Sequence, residues 1–216
     1  IVGATGCGKT TMMHLLLRFY DCQKGSILLN GIDIRDQTQT SIRNTMALVS
    51  QNNFIFNTSI KENITLGQTV SDKEIISLLK SLHLWDMFQK YPKGIHQIIA
   101  EKGTDLSAGE KQLICMARAL IFATPIIIFD EATSHIDPYT EKLIHQNLAE
   151  LRKNHTLLTN AHRLSTIYNA DHILVLHHGQ LIQQGNHQKL IEQEGIYRDF
   201  VDCLRYYSLQ NTESPL

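Results

Sequence analysis

Near the start of the chain, Gly3-Ala4-Thr5-Gly6-Cys7-Gly8-Lys9-Thr10 sets glycines, a lysine and a hydroxyl at the spacing of a phosphate-cradling loop. The glycines let the backbone curl until successive N–H groups converge on an anion. A helix starting near Lys9 adds the positive end of its dipole. In such a loop the Lys9 ammonium reaches the outer phosphates, the Thr10 hydroxyl is offered to Mg²⁺, and Thr11 is placed to bond a phosphate nearer the ribose. Asp130 closes the apolar run Ile126-Ile127-Ile128-Phe129 and supplies the acid that holds Mg²⁺ directly or through water. Glu131 follows at once, where a carboxylate can polarise an attacking water as general base.

The elements that must position these groups alternate. A helix with apolar Met12, Met13, Leu15, Leu16, Leu17 and Phe19 follows the loop and is expected to end near Asp21. Asn30-Gly31 marks a short hairpin over Gly25 to Ile34, and Ala47-Leu48-Val49 reads as a strand ending at Ser50-Gln51. From Ser59 to Phe88 the pattern turns helical, with Ser71 and Asp72 as candidate caps. A helix over 108–122 leads into strand 126–130, which is apolar throughout, as in a parallel sheet buried on both faces. Helix 138–151, strand 155–159, helix 163–169, strand 172–176, a hairpin about Gly179 and a helix over 195–204 complete an α/β order, with a frayed polar tail over 208–216. A phosphate loop needs a full buried strand in front of it. Only Ile1 and Val2 stand there, so the sequence predicts that more of the chain precedes them.

With Lys+Arg 20 against Asp+Glu 21 and no long basic run, the composition carries no nucleic-acid footprint. The longest apolar stretch, around Ile121 to Phe129, is broken by Thr124 and Pro125 and falls short of the ~20 residues of a membrane span. Any membrane role must then come through a partner. Four scattered cysteines without a CxxC spacing suit a reducing compartment. His177-His178 precedes Gly179 between two strand-like runs and reads as a turn rather than a metal site.

A second motif narrows the reading. Leu106-Ser107-Ala108-Gly109-Glu110-Lys111-Gln112 resembles the signature, usually LSGGQ, of the ATP-binding-cassette (ABC) family. It departs from it in Ala108, for the first glycine, and Glu110, for the glutamine. The resemblance implies an α/β P-loop NTPase (RecA-like) core with a mostly parallel sheet and a helical subdomain, approximately 52–115, that carries the signature. The whole chain, 1–216, is then one ATP-binding domain. An N-terminal antiparallel β segment, including the aromatic residue that stacks on adenine, is expected upstream of Ile1. The family also implies that Ser107 and Gly109 face the nucleotide of a second copy, that Gln51 senses Mg²⁺ and the γ-phosphate, and that His162 orients the catalytic carboxylate and water. Asp137, in Ser134-His135-Ile136-Asp137, would contact the opposite subunit's phosphate loop.

Leu48-Val49-Ser50-Gln51 with Phe56-Asn57-Thr58-Ser59-Ile60-Lys61-Glu62-Asn63-Ile64 looks like the exporter branch, as does Glu101-Lys102-Gly103. Ile98 stands where an acid is common in that branch. The expected function is ATP binding and hydrolysis coupled to export, with ATP and Mg²⁺ as cofactors and a second ATPase domain as partner. Transmembrane domains are expected in the same polypeptide, which places this chain at the cytoplasmic face of a membrane, the cell membrane in a bacterium. Two other readings stay open. One is a mainly ATP-binding half-site of an asymmetric pair, for which Ala108 and Glu110 speak and Glu131 and His162 do not. The other is a soluble ABC ATPase of DNA repair or translation, which predicts a coiled-coil insertion, tandem cassettes or basic patches.

Overall fold

The computed structural model describes residues 1–50, 52–122, 124–130, 136–161 and 163–212, with side chains through Tyr206. Two compact units divide the chain, one formed by Ile1–Thr38 with Leu158–Leu216 and the other by Gln39–Leu157. In chain order the first unit opens with α1 (Lys9–Leu16), β1 (Leu28–Leu29) and β2 (Ile32–Asp33). The second unit follows with α2 (Gln39–Thr45), β3 (Met46–Val49), α3 (Ile60–Thr65), α4 (Asp72–Ser81), α5 (Trp85–Gln89), α6 (Ala108–Leu120), β4 (Ile126–Asp130) and α7 (Pro138–Leu151). The chain leaves that unit within β5 (Thr156–Asn160) and closes with α8 (Leu164–Tyr168), β6 (Ile173–His177), β7 (Gln180–Gly185), α9 (His187–Ile191) and α10 (Ile196–Thr212).

In the first unit, Val2 lies parallel to β6. Its N–H donates to Leu174 O at 2.9 Å and its carbonyl accepts from Leu176 N–H at 2.9 Å. Both backbone groups of the residue that leads into the phosphate loop are thereby satisfied. Val2, Ile173, Val175, Ile167, Leu190, Tyr197 and Val201 form the core here. The hairpin turns at Asn30 (φ 53) and Gly31 (φ 79), two left-handed residues in the I′ pattern that Asn-Gly favours. Helix α1 stops at Leu16, earlier than Asp21. Arg18 takes a left-handed conformation (φ 51) and donates to the carbonyls of Ile34 (2.9 Å) and Gln37 (2.7 Å), which ends the helix and ties it to the segment beyond β2. At the other end of the chain α10 continues through Thr212, past the expected start of a frayed tail. Arg205, which reaches Tyr168 Oη at 3.0 Å, fixes its middle, and the first helix-breaking proline comes only at Pro215.

In the second unit β3 and β4 pair in parallel register, Met46 with Ile126 through Val49 with Phe129, in a sheet of order β3-β4-β5. One core joins Val49, Ile127 and Phe129 to Ile60, Ile64, Leu79 and Phe88 of the helical segment and to Leu113, Met116, Ile144 and Leu148 of α6 and α7. Fully burying each such side chain contributes ~1.5–3 kcal/mol. Buried Asn63 holds the loop that precedes α3: its Oδ1 accepts from Phe56 N–H at 2.8 Å and its Nδ2 donates back to Phe56 O at 3.0 Å. Arg118 of α6 donates to Asn63 O (2.7 Å) and Phe54 O (3.1 Å) and lies 5.7 Å from the centre of the Phe56 ring. Phe54 and Phe56 pack edge to face at 4.8 Å and stay 59% and 45% exposed. Among the described residues no helix is long and apolar enough to cross a membrane.

Candidate functional site

The phosphate loop lies in the first unit. Gly8 caps α1 with φ 105, a conformation that a side chain would strain, so the glycine is required by the backbone itself. Cys7 N–H folds back on Ala4 O at 3.2 Å, and the first helical bond runs from Met12 N–H to Gly8 O at 3.0 Å. The N–H groups at the head of a helix have no intrahelical partner, so those of the first turn of α1 are donors for an anion. Ala4, Thr5, Gly6, Thr10 and Thr11 are exposed, whereas Gly3, Cys7 and Lys9 are buried. The Lys9 ammonium turns into the curl and donates to Gly3 O (2.7 Å) and Ala4 O (3.0 Å), with Cys7 Sγ at 3.7 Å. A cation 5% exposed and held by neutral carbonyls is poised for a stronger, anionic acceptor. The loop is braced from outside by the turn after β6, where Gly179 N–H donates to Cys7 O at 3.0 Å.

The second unit carries the other described site residues. Asp130 is the last residue of β4 and is 8% exposed. The three side chains that the sequence assigns to Mg²⁺, the Asp130 carboxylate, the Thr10 hydroxyl and the Gln51 carboxamide, all offer oxygen, a donor type that suits Mg²⁺ better than a softer ion. Among the described residues no three His, Cys, Asp or Glu side chains gather as a separate metal cluster. Gln51, Glu131 and His162 lie outside the described residues, as do Ser134 and His135.

Ser107 and Gly109 sit at the head of α6 and Asp137 at the head of α7, and these two helix starts meet. A methyl group on Gly109 would overlap Thr140 Cγ2 and come within 3.2 Å of Ile136 Cγ2. Thr140 is the residue whose N–H donates to Asp137 Oδ1 at 3.0 Å. The Thr140 hydroxyl and N–H hold the Asp137 carboxyl below the usual carboxylate range. Ala108, by contrast, is exposed, so the methyl that departs from the family pattern meets solvent, whereas a methyl at Gly109 would meet Thr140.

Glu110 also has a place. Ser107 Oγ accepts from Glu110 N–H at 3.1 Å and Glu110 Oε2 accepts from Ser107 N–H at 2.9 Å, a reciprocal capping box. Lys90 Nζ (3.2 Å) and Tyr91 Oη (3.4 Å) both donate to Glu110 Oε1. Burial pushes the Glu110 carboxyl up, but the Ser107 bonds and Lys90 together hold it below its ordinary range. Sequence reasoning treats Glu110 as a departure and does not single out Lys90, Tyr91 or Thr140. The Ser-x-x-Glu spacing was the available signal for the first, and nothing local marks the other three.

The family model described as ABC transporter matches residues 1–134. An ATP-dependent lipid A-core flippase of Haemophilus influenzae (strain 86-028NP) is 42% identical over 212 residues, covering 97% of this chain and 35% of the relative. The probable multidrug resistance ABC transporter ATP-binding/permease protein YheH of Bacillus subtilis (strain 168) is 43% identical, with 91% and 29% covered. A solved bacterial Atm1-family ABC exporter with ATP bound matches with a TM-score of 0.85 at 40% identity, over 92% of this chain and 35% of that one. The chain thus spans about a third of the length of these relatives.

Proposed function

This chain belongs to the ABC transporter family as an exporter-type ATPase domain, and we propose that it works in a pair, each nucleotide clasped between one copy's phosphate loop and the other copy's signature. The observation that carries this reading is the state of Lys9, whose buried ammonium is held by Gly3 and Ala4 carbonyls inside a loop open on its Thr5, Gly6 and Thr10 side. ATP gives that ammonium anionic oxygens in exchange for neutral ones. The γ-phosphate then presents charge to the partner's Ser107 hydroxyl and to the N–H groups about Gly109, so nucleotide binding draws the pair together.

Thr10, Asp130 and Gln51 would hold Mg²⁺, which supplies charge neutralisation at the phosphate oxygens when bound. Glu131 takes a proton from water as the water oxygen bonds to the γ-phosphorus and the bond to the β–γ bridging oxygen breaks, giving ADP and inorganic phosphate. His162 orients Glu131 and the water. Asp137 contacts the partner's phosphate-loop region. Loss of the γ-phosphate removes the bridge, and the pair reopens. The helical segment 52–115 carries that motion, and the exposed Phe54–Phe56 pair, clamped to α6 through Arg118, is the surface that meets a membrane-spanning domain of the same polypeptide at the cytoplasmic face.

The test mixes two variants of the full-length protein. Ser107→Arg spoils the half-site a subunit lends, and Lys9→Ala spoils the one it keeps. In the heterodimer both defects fall in one composite site and the other is whole. Partial ATPase activity should return on mixing. If neither activity nor ATP-dependent association appears in any combination, each signature serves its own chain and the shared site is wrong.

A further inference from the structure

We propose that Lys90 is a positioning residue of the signature half-site: it neutralises Glu110 so that the head of α6 can accept the γ-phosphate of the partner's nucleotide. The inference rests on the shared-site reading above. A helix start carries roughly half a positive charge, which is what makes it an anion site. Glu110 places a full negative charge in the first turn of α6, fixed 2.9 Å from Ser107 N–H and therefore beside the group that is to meet a phosphate. Left alone, that carboxylate turns an attractive helix end into a repulsive one.

Three features show how the charge is managed. The capping box aims Glu110 Oε2 at the backbone of Ser107, and Oε1 is turned toward α5 and its following loop, where Lys90 Nζ and Tyr91 Oη take it at 3.2 and 3.4 Å. The Glu110 side chain is only 12% exposed while that of Lys90 is 59% exposed, so the lysine is the partner with freedom and the glutamate the one fixed. Lys90 Nζ also lies 5.7 Å from the centre of the Tyr91 ring, which restrains the ammonium on the Glu110 side. Burial, and then the Glu110 charge, push the Tyr91 hydroxyl up to about 12, so it remains a donor to Oε1 at every working pH. Within this arrangement Ser107 Oγ accepts from Glu110 N–H and keeps its own proton to give to an incoming phosphate oxygen.

The experiment uses the full-length protein in lipid vesicles and compares wild type, Lys90→Met, Lys90→Arg, Glu110→Gln and the double variant Lys90→Met/Glu110→Gln. Phosphate charge is present in both ground and transition states, so losing the neutralising cation removes uniform binding. Lys90→Met should raise KM for ATP by about fivefold with kcat little changed, the scale of one charge at a helix end. Inhibition by ADP, which has no γ-phosphate, should not move, a distinction that a loss of folding does not make. Lys90→Arg should keep the wild-type KM. Removing the charge at Glu110 should restore it in the double variant, and the Lys90→Met defect should shrink as salt is raised. An unchanged KM in Lys90→Met, or a double variant no better than the single, overturns the role of Lys90. If the Ser107→Arg and Lys9→Ala subunits, otherwise wild type, fail to complement when mixed, the shared-site reading fails and takes this inference with it. Complementation together with an indifferent Lys90 defeats the inference alone.

Discussion

At the head of α1 the cap is Gly8, a residue with no side chain, whereas at the head of α6 it is Ser107, whose hydroxyl already accepts from Glu110 N–H while Glu110 bonds Ser107 N–H in return. The first helix start keeps its donors for a ligand, and its lysine, also cationic, is folded onto the loop's own carbonyls. The second has satisfied part of its own demand within the protein, and its glutamate is balanced by Lys90. An end that is left unsatisfied binds; an end that is largely self-satisfied adds to a site only once the ligand is already there. In the shared-site reading proposed above, the first unit holds nucleotide and the second reports its γ-phosphate.

The largest expected effect separates these parts most sharply. Lys9→Ala should lower turnover by ~10²–10³-fold and lose ATP binding with it, because a charge-assisted donor to phosphate is removed from both ground and transition states. Fluorescent nucleotide titration beside steady-state hydrolysis measures both. Ser107→Ala should instead spare single-site binding, and an equal loss of binding there would dissolve the contrast between the two ends. Glu131→Gln should leave binding intact while hydrolysis falls by ~10²-fold or more, the range for losing a positioned base. Near-normal turnover in that variant removes Glu131 from the role.

Next in size is packing at the signature. Gly109→Ala drives a methyl into Thr140 and should cost about 1–3 kcal/mol of stability, as overpacking does. Thr140→Ser deletes the Cγ2 methyl it strikes but keeps the N–H that caps Asp137, so the double variant should recover much of the loss in a denaturant melt. A double variant as unstable as Gly109→Ala would show that the contact between α6 and α7 is not the cause.

The smallest effect distinguishes the units by acid. His187 Nδ1 lies 2.7 Å from Tyr197 Oη, and burial first, then the Arg205 charge, hold the imidazole below its usual 6.5. The unfolded chain therefore takes up a proton below about pH 6.5 that the fold resists, so this contribution is complete above that pH and is lost as pH falls through the lowered value. Glu110 is held below its ordinary 4.5, so its stabilising contribution is complete down to about pH 4.5 and is lost as pH falls from there through the lowered value. At pH 5.5 amide exchange should quicken in α9 and α10 before α6, with a Tm decrease of roughly 2 °C that His187→Gln abolishes. Faster exchange in α6 at that pH would contradict this order.

Much of the molecule is legible from local pattern. The loop, the Asn30-Gly31 turn, the apolar run of β4 and the bounds of α7 follow from glycine geometry, backbone sterics and hydrophobic periodicity, each acting over a few neighbouring residues. Helix α2, with Ile42 its one buried residue, lacks such a period and is visible only in the fold. The early end of α1 at Leu16 depends on carbonyls of Ile34 and Gln37 that no periodicity in residues 9–21 contains.

By itself the sequence determined the phosphate loop, the signature and the alternation of helix and strand, because those depend on residue type and short spacing. Only the tertiary structure decided why position 109 of the signature favours glycine while position 108 takes a methyl, and what becomes of the Glu110 charge. Gly109 is fixed by Thr140, 31 positions further on, and Glu110 is balanced by Lys90, 20 positions earlier. Steric exclusion and Coulomb attraction act through space, so residues remote along the chain set the value of a motif that local spacing alone can only locate.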